Sequence, residues 1–418
     1  MVPLAGLLDV AFLGHSADIH PLAGVVLATV LVNYLYWTFG FLRMGTTGLT
    51  AQAVGRNDFD TVLVIGLRHG CLALIIGLLI FMMQQPLGQV GFSLLSADEP
   101  VKASGMTYYH ALIWGAPATL LNYVLMGWFL GRGQSGKVLL LSGVGNGAKV
   151  LLDYLLIVQW GWLSMGAGYA TAASQCLMMA IGLLIIAQEF WFKPIAVEWQ
   201  TLLNPIALKT AFLLNSEILL RSFALISTFA LFTNLSSGLG TEVLTSNALL
   251  LEVVTFAAFF IDGLAFATES WAGVLHGRGT TGGLVQLLWV AGIGSFGLGI
   301  SVAIACLMVP DPLFSLLTHH KNIINHLKQY VIWLLPVLGF GSIAYLLDGY
   351  FLGLTSGRIL RDAAMMAFWI GFAPMAAIAF YTRNNHLLWL SLALFMATRV
   401  VTLGTQVPRT LAPRKSPV

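Results

Sequence analysis

Long stretches without charged residues constrain this chain more than any other feature of its sequence. The long stretches that contain no Asp, Glu, Lys or Arg are 22–42, 69–97, 103–131, 154–188, 222–241, 279–310, 329–347, 363–382 and 384–398. A helix of about 20 residues crosses a bilayer core about 30 Å thick. Only 9% of the 418 residues are charged and 58% are hydrophobic, whereas a soluble domain has roughly 25% charged residues. The sequence therefore excludes a water-soluble globule and predicts an all-α polytopic membrane protein.

Turn signals and interrupted segments divide the chain into twelve predicted spans. These spans cover 1–14, 22–54, 61–84, 107–131, 136–158, 163–189, 207–235, 241–274, 283–309, 327–353, 359–381 and 384–403. Span 1 is the exception, because a helix of its length reaches only about 21 Å. It also lacks the basic n-region and the cleavage site of a signal peptide. We interpret span 1 as the second half of a truncated transmembrane helix whose beginning is missing.

An internal repeat is indicated by two pairs of short motifs that share one offset of 222 residues. Gly55-Arg56 follows span 2 as Gly277-Arg278 follows span 8. Phe129–Gly131 ends span 4 as Phe351–Gly353 ends span 10. Two anchors at one offset predict two pseudo-symmetric bundles of six helices each, an arrangement typical of transporters.

The predicted domains follow from this repeat. The N-terminal six-helix lobe covers 1–190 with helix 1 incomplete, and the C-terminal lobe covers 207–403. A polar connection, 191–206, joins the lobes, and a tail of residues 404–418 follows them. Since six is an even number, both lobes are expected to cross the membrane in the same direction.

Basic residues in the loops predict the orientation of the chain in the membrane. Thirteen of them fall on one side: Arg56, Arg68, Arg132, Lys137, Lys193, Lys209, Arg278, Arg358, Arg361, Arg399, Arg409, Arg414 and Lys415. Four fall on the other: Lys102, Lys321, Lys328 and Arg383. This asymmetry predicts a cytoplasmic C-terminus, and we expect the protein in a plasma membrane, the bacterial inner membrane.

Acidic residues inside the spans are the candidate sites of energy coupling, because a charge at the bilayer centre costs at least about 2.5–3.5 kcal/mol. They are Asp9, Asp153, Glu217, Glu252, Asp262, Glu269 and Asp348. Asp9 has no basic residue within four positions, and Asp348 lies beside Tyr345 and Tyr350. Each is either a polar side chain bonded to neighbouring hydroxyls or a proton or cation site, because an apolar environment disfavours the charged form of a carboxyl group.

Two of these acids have a basic partner at the i,i+4 spacing that places both side chains on one helix face. Lys149 precedes Asp153 on span 5, and Glu217 precedes Arg221 on span 7. Mutual neutralisation during membrane insertion is one interpretation. The alternative for Lys149 and Asp153 is a switchable pair, in which the ammonium occupies the position of a cation until a proton reaches the carboxylate.

Span 8 carries three acids, of which Asp262 and Glu269 are seven residues apart and share a face. Glu269 lies near the predicted cytoplasmic end and could be either solvated or functional. Arg43 occupies the comparable depth of span 2. We therefore predict a possible gate in which Arg43 and Glu269 form a pair that closes the cytoplasmic side.

Aromatic side chains on spans 2 and 8 are candidates for lining a pocket for flat lipophilic cations. They are Tyr34, Trp37, Phe256, Phe259 and Phe260, with Tyr36 beside them. Such residues face lipid or form interfacial belts more often than they bind substrates. No cofactor or metal site is expected, since the three cysteines are scattered through apolar stretches and His319, His320 and His326 lie on a short loop.

Three motifs, taken in order, resemble the multidrug and toxic compound extrusion (MATE) family, DinF branch. They are Leu42–Gln52 (LRMGTTGLTAQ), Asp262–Glu269 (DGLAFATE) and Tyr345–Gly349 (YLLDG). The resemblance implies two six-helix bundles that form a V-shaped cleft. It also implies export of organic, often cationic, compounds in exchange for inward H⁺ or Na⁺ by alternating access.

The resemblance also gives individual acids a role. It matches Asp9 to the acid of helix 1 and Asp153 to its partner in helix 5, and it places Glu217 and Glu252 where members have acids in helices 7 and 8. The chain has Lys149 where the family usually has Asn. Because a fixed ammonium would compete with Na⁺, this departure favours coupling to protons.

Alternative functions fit the sequence less well. A flippase or exporter of lipid-linked or amphipathic metabolites would need a larger basic cleft than Arg43, Lys149 and Arg221 provide. A major facilitator transporter would need a basic Gly-Asp-Arg loop after span 2, where Gly55–Asp60 is mixed in charge. A membrane enzyme would need a nucleophile and base or a metal cluster. We therefore expect a monomeric transporter, not an enzyme, that meets lipid and small organic substrates and no nucleic acid.

Overall fold

The computed structural model describes residues 12–13, 20–93, 95, 97–190, 202, 204–315 and 321–411, and within these ranges regular structure is entirely helical. Helix is expected because a membrane offers no hydrogen-bond partners to the backbone, and a helix satisfies its own N–H and C=O groups. The chain divides into two compact units. Unit 1 comprises Met1–Thr46 and Phe59–Leu208, and unit 2 comprises Thr47–Asp58 and Lys209–Val418.

Unit 1 is built from helices α1 to α8. Their bounds are α1 His20–Thr38, α2 Phe41–Gly55, α3 Phe59–Met82, α4 Gln84–Ser93, α5 Glu99–Ile113, α6 Ala116–Gly131, α7 Ser135–Asp153 and α8 Leu163–Phe190. The last part of α2, from Thr47 onward, belongs to unit 2. A π-helical segment, Tyr154–Gln159, continues directly from α7.

Unit 2 is built from helices α9 to α18. Their bounds are α9 Pro205–Gly238, α10 Thr241–Arg278, α11 Thr281–Met308, α12 Pro310–Ser315, α13 Lys321–Leu327, α14 Leu334–Gly353, α15 Gly357–Met366, α16 Ala373–Thr382, α17 Asn385–Gly404 and α18 Val407–Leu411. A 3₁₀ turn, Val331–Trp333, precedes α14, and a π-helical segment, Ala367–Phe372, joins α15 to α16.

Ten helical segments of the described chain are long and apolar enough to cross a membrane, and the bent pair α5 and α6 makes an eleventh. These eleven correspond to predicted spans 2 to 12, which confirms the polytopic all-α fold. Predicted span 1 lies almost entirely outside the described residues. The bend between α5 and α6 is 56°, and it falls at Trp114 and Gly115, inside predicted span 4.

Close helix contacts recur at the offset that the motifs predicted. In unit 1 a side chain at Gly127 would meet the backbone carbonyl of Arg43, and in unit 2 a side chain at Gly349 would meet that of Ala265. Both residues of the second contact are displaced by 222 positions from those of the first. The repeat is therefore a repeat of packing contacts as well as of sequence, and glycine is needed where the backbones approach so closely.

The core of unit 2 encloses a fully bonded polar node. Asn247 donates from Nδ2 to Ser236 Oγ at 2.8 Å and to Asn385 Oδ1 at 2.7 Å. Its Oδ1 accepts from Asn385 Nδ2 at 3.0 Å and from Trp389 Nε1 at 2.8 Å. All four hydrogen-bonding positions of the amide are used, so this buried amide carries no unsatisfied group.

Candidate functional site

A buried ion pair lies at the end of α7 in unit 1. Lys149 Nζ donates to Asp153 Oδ2 at 2.7 Å, and the two residues are 7% and 0% exposed. The i,i+4 spacing on a continuous helix brings the groups together, as the sequence predicted. Because the two charges cancel, the pair can occupy an apolar span that would exclude either charge alone.

The helix changes its hydrogen-bonding pattern directly after this pair. Tyr154–Gln159 forms a π-helix, in which Trp160 N–H donates to Leu155 C=O at 3.0 Å. Such segments are rare and occur frequently at functional sites. The sequence did not predict it, because a π-helix has no pattern of apolar residues that separates it from an α-helix. A second π-helix, Ala367–Phe372, lies in unit 2, within predicted span 11.

The surroundings of Asp348 differ from the prediction. Its Oδ2 accepts hydrogen bonds from the guanidinium groups of both Arg221 and Arg399. Asp348 is 4% exposed, Arg221 7% and Arg399 1%. The interpretation of Asp348 as a carboxyl group bonded to nearby hydroxyls is therefore wrong, since two arginines bind it. We call Arg221, Asp348 and Arg399 the arginine–aspartate triad.

Arg399 is the residue of this triad that the sequence reasoning missed. It was counted among the basic loop residues, but it lies inside α17 and is almost fully buried. Its position within predicted span 12 is the signal that could have identified it. The guanidinium group also lies 5.3 Å from the Tyr345 ring and 5.7 Å from the Phe395 ring, contacts that stabilise a buried cation.

The predicted Glu217–Arg221 pair is replaced by contacts to other helices. Arg221 binds Asp348 on α14. Glu217 lies 3.9 Å from Arg358 Nε and 3.9 Å from Arg361 Nη1, both on α15, and its side chain is 18% exposed. Sharing a helix face made the pair possible, but the tertiary packing gives each residue a partner on another helix.

The three acids of α10 have different surroundings. Glu252 is exposed, Asp262 is half-buried and Glu269 is fully buried. The solvated interpretation of Glu269 is therefore wrong. Arg43 is half-buried and belongs to unit 1, whereas Glu269 belongs to unit 2, and their pairing as a gate stays a prediction.

The predicted substrate-lining aromatic residues all have exposed side chains. Exposure is 47% for Tyr34, 57% for Trp37, 59% for Phe256, 48% for Phe259 and 54% for Phe260. The rings of Phe256 and Phe260 form an edge-on pair with centroids 5.0 Å apart. Exposed apolar side chains on a membrane helix contact either lipid or a ligand, so substrate binding by these residues stays a prediction.

Some predicted residues fall outside the described part of the chain. Asp9 is one of them, and so are His319 and His320. Within the described residues, no group of three or more His, Cys, Asp or Glu side chains is placed to hold a metal ion. Among the described residues, two ion-paired clusters consist of buried residues, the Lys149–Asp153 pair and the arginine–aspartate triad.

Comparison with known proteins gives a consistent result. The MatE family profile matches residues 1–155 and 218–373. The chain is 31% identical to DNA damage-inducible protein F of Escherichia coli over 96% of this chain and 87% of that protein. It is 22% identical to the probable multidrug resistance protein NorM of Thermotoga maritima over 77% of this chain and 70% of that protein.

A solved structure supports the same fold. The outward-facing conformation of a multidrug resistance MATE family transporter of the MOP superfamily has a TM-score of 0.87 to this chain, with 19% identity, and the match covers 99% of this chain and 93% of that one. At this identity the match supports the fold alone, and the fold is the all-α membrane fold that the sequence predicted. The profile match over most of the chain and the 31% identity to DNA damage-inducible protein F show that the protein belongs to the MatE family, the multidrug and toxic compound extrusion transporters.

Proposed function

We propose that this protein exports organic, often cationic and lipophilic, compounds across the membrane in exchange for protons by alternating access. The observation that carries this proposal is the buried Lys149–Asp153 pair, with 2.7 Å between Nζ and Oδ2. The names of several relatives, such as the multidrug resistance protein MdtK of Pectobacterium atrosepticum, support drug-like molecules as the substrate class.

Charge balance explains how such a pair could exchange a proton for a cation. With Asp153 ionised, the charges of Lys149 and Asp153 cancel. A proton on Asp153 removes the negative charge that the Lys149 ammonium contacts, and the pair then carries one net positive charge. At an effective dielectric constant of 20, two unit charges 4 Å apart interact by about 4 kcal/mol. A protonated pair and a nearby cationic substrate therefore disfavour each other, which is the condition for exchange.

The π-helix gives the pair a means of transmitting this change. A π-helical segment differs from an α-helix in its hydrogen bonding, and such segments are frequently found at functional sites. Asp153 is the last residue of α7 before Tyr154–Gln159. We propose that loss of the Lys149 contact changes the hydrogen bonding of this segment and so changes the direction of the helix end. Asp9 keeps the proton-binding role that the resemblance implies for it.

Lys149 also bears on the identity of the coupling ion. Its Nζ is placed at Asp153 where a metal cation would otherwise bind the carboxylate. A proton can reach the carboxylate without removing the ammonium, whereas Na⁺ would have to share the site with it. Protons are therefore the coupling ion that this arrangement favours.

Dye efflux from proteoliposomes under separately imposed gradients tests this proposal. The purified protein is reconstituted, and efflux of a fluorescent lipophilic cation is recorded with a proton gradient alone and with a sodium gradient alone. We expect efflux with the proton gradient only, and at least a tenfold lower initial rate for Asp153→Asn. Asp311→Asn serves as the matched control, because Asp311 is an exposed acid paired with Lys328 on the surface, and it should behave as the unmodified protein.

Three results would contradict the proposal. Efflux driven by sodium and not by protons would exclude the coupling ion. Full proton-driven efflux by folded Asp153→Asn protein would remove the pair from the coupling step. Efflux of neither the cation nor an uncharged dye by folded protein would exclude this substrate class.

A further inference from the structure

The arginine–aspartate triad combines one carboxylate with two arginines, in contrast to the equal pairing of Lys149 and Asp153. The two guanidinium groups reach the same oxygen, Oδ2 of Asp348, from α9 and α17. All three residues are less than a tenth exposed. Three helices of unit 2 thus meet at one charged centre inside a unit that is otherwise largely apolar.

The chemistry of arginine makes this centre different from the pair in unit 1. A lysine can lose its proton when its environment demands it, but an arginine stays charged in proteins. A proton on Asp348 would leave two buried guanidinium groups beside a neutral acid. Because loss of a negative charge that contacts two buried positive charges is unfavourable, the contacts of the triad favour the ionised form of Asp348.

Other ionisable groups lie near the triad. They are Tyr345, one helical turn before Asp348, and Asp262 on α10, which is half-buried. The Arg399 guanidinium also lies over the Tyr345 ring, and its Nη1 is 3.6 Å from Met396 Sδ. The carboxylate oxygen that a cation would bind already accepts hydrogen bonds from two guanidinium groups.

From this geometry we propose that Arg221 and Arg399 are fixed internal counter-ions of Asp348, so that this carboxylate neither takes up a proton nor binds Na⁺ during transport. The two arginines occupy the place that an exchangeable cation would take beside Asp348 in unit 2. The inference concerns unit 2 alone and does not depend on Lys149 and Asp153 being the coupling pair.

Carbodiimide labelling of the unmodified protein tests the protonation state of Asp348. The hydrophobic reagent dicyclohexylcarbodiimide modifies protonated carboxyl groups in apolar surroundings, and peptide mapping by mass spectrometry identifies each modified residue. We expect no adduct on Asp348 in folded protein at any pH between about 5 and about 8, the range in which physiological switches operate. Protein unfolded in detergent before labelling is the control that shows the peptide is detectable. An adduct on Asp348 of folded protein that increases as the pH falls overturns the proposal.

Substitution of the whole triad separates an inert centre from a coupling site. In Arg221→Met/Asp348→Leu/Arg399→Met, all three charges are removed together, and we expect folded protein whose proton-driven efflux has the same pH midpoint as the parent. Arg221→Lys/Arg399→Lys keeps both positive charges and should also keep the midpoint. A shifted pH midpoint in either folded variant overturns the proposal. Thermal stabilisation of the parent by Na⁺ also overturns it, if N-methylglucamine does not stabilise the parent and Na⁺ does not stabilise the triple variant. If efflux is absent from the parent itself, the proposed function fails and the labelling result still decides the inference.

Discussion

At the scale of single residues, the stoichiometry of charge decides what a buried acid can do. Asp153 and Asp348 are both buried aspartates in apolar helices, and only Asp153 has a basic residue four positions away in the sequence. In the structure Asp153 is paired with Lys149, and Asp348 is paired with Arg221 and Arg399. Lysine can lose its proton and arginine cannot. The Lys149–Asp153 pair is therefore suited to proton exchange, and the arginine–aspartate triad is suited to remain ionised.

Removal of Lys149 alone should destabilise unit 1. Lys149→Met leaves the Asp153 carboxylate, which is 0% exposed, without its bonded ammonium, and breaking a buried pair in this way costs about 3–5 kcal/mol. The measurement is thermal unfolding of purified protein in detergent. Lys149→Met/Asp153→Leu should regain most of the lost stability but no proton-driven efflux. Equal melting temperatures for Lys149→Met and the parent would show that the pair is not buried as described.

At the scale of helices, glycine determines how closely the backbones approach. Gly349 on α14 faces the backbone of Ala265 on α10, and Gly127 on α6 faces that of Arg43 on α2. In lipid, helices are not driven together by the hydrophobic effect and associate through close van der Waals packing. Small residues at the contact permit this packing. The same sequence offset of both contacts shows that the two halves of the repeat share this close approach.

Two glycine-to-alanine substitutions should therefore have opposite effects. A Cβ at Gly349 would collide with the Ala265 carbonyl, whereas a Cβ at Gly143 on α7 would meet no atom within 4 Å. We expect Gly349→Ala to lower the free energy of unfolding by about 1–3 kcal/mol. Gly143→Ala should raise it by about 0.5–1 kcal/mol, because alanine favours helix. Denaturant titration of both variants measures this, and effects of the same sign would contradict the packing described.

At the scale of the whole molecule, the distribution of basic residues predicts how the chain lies in the membrane. Moving Arg399 from the loops into α17 leaves twelve basic loop residues on the predicted cytoplasmic side and four on the other. The asymmetry that the positive-inside rule requires is therefore hardly changed. Arg399 instead becomes part of the internal charge balance of unit 2.

The orientation can be measured with C-terminal fusions in bacterial cells. Green fluorescent protein joined after Val418 should fluoresce, because it folds in the cytoplasm, and alkaline phosphatase at the same position should be inactive, because it requires export. The matched control places the same reporters in the loop after α16, at Arg383, where we expect the reverse. Active phosphatase at the C-terminus would show that the chain has the opposite orientation.

The sequence was sufficient to predict spans 2 to 12, the repeat and the Lys149–Asp153 contact. Each of these depends on local spacing: the length of an apolar run, an offset between motifs, or four residues on one helix face. The same reasoning failed for Glu217 and Arg221, which also share a face. A shared face shows that two groups can meet, but other helices compete for each partner.

The sequence by itself determined that this chain crosses a membrane many times, because its long uncharged runs leave no soluble alternative. Only the tertiary structure decided which buried charges belong together. Arg221, Asp348 and Arg399 lie on three helices that are far apart in the sequence, and no spacing rule links them. Their association follows from helix packing in unit 2, because a charge buried away from water is stabilised only by the partners that the fold brings to it.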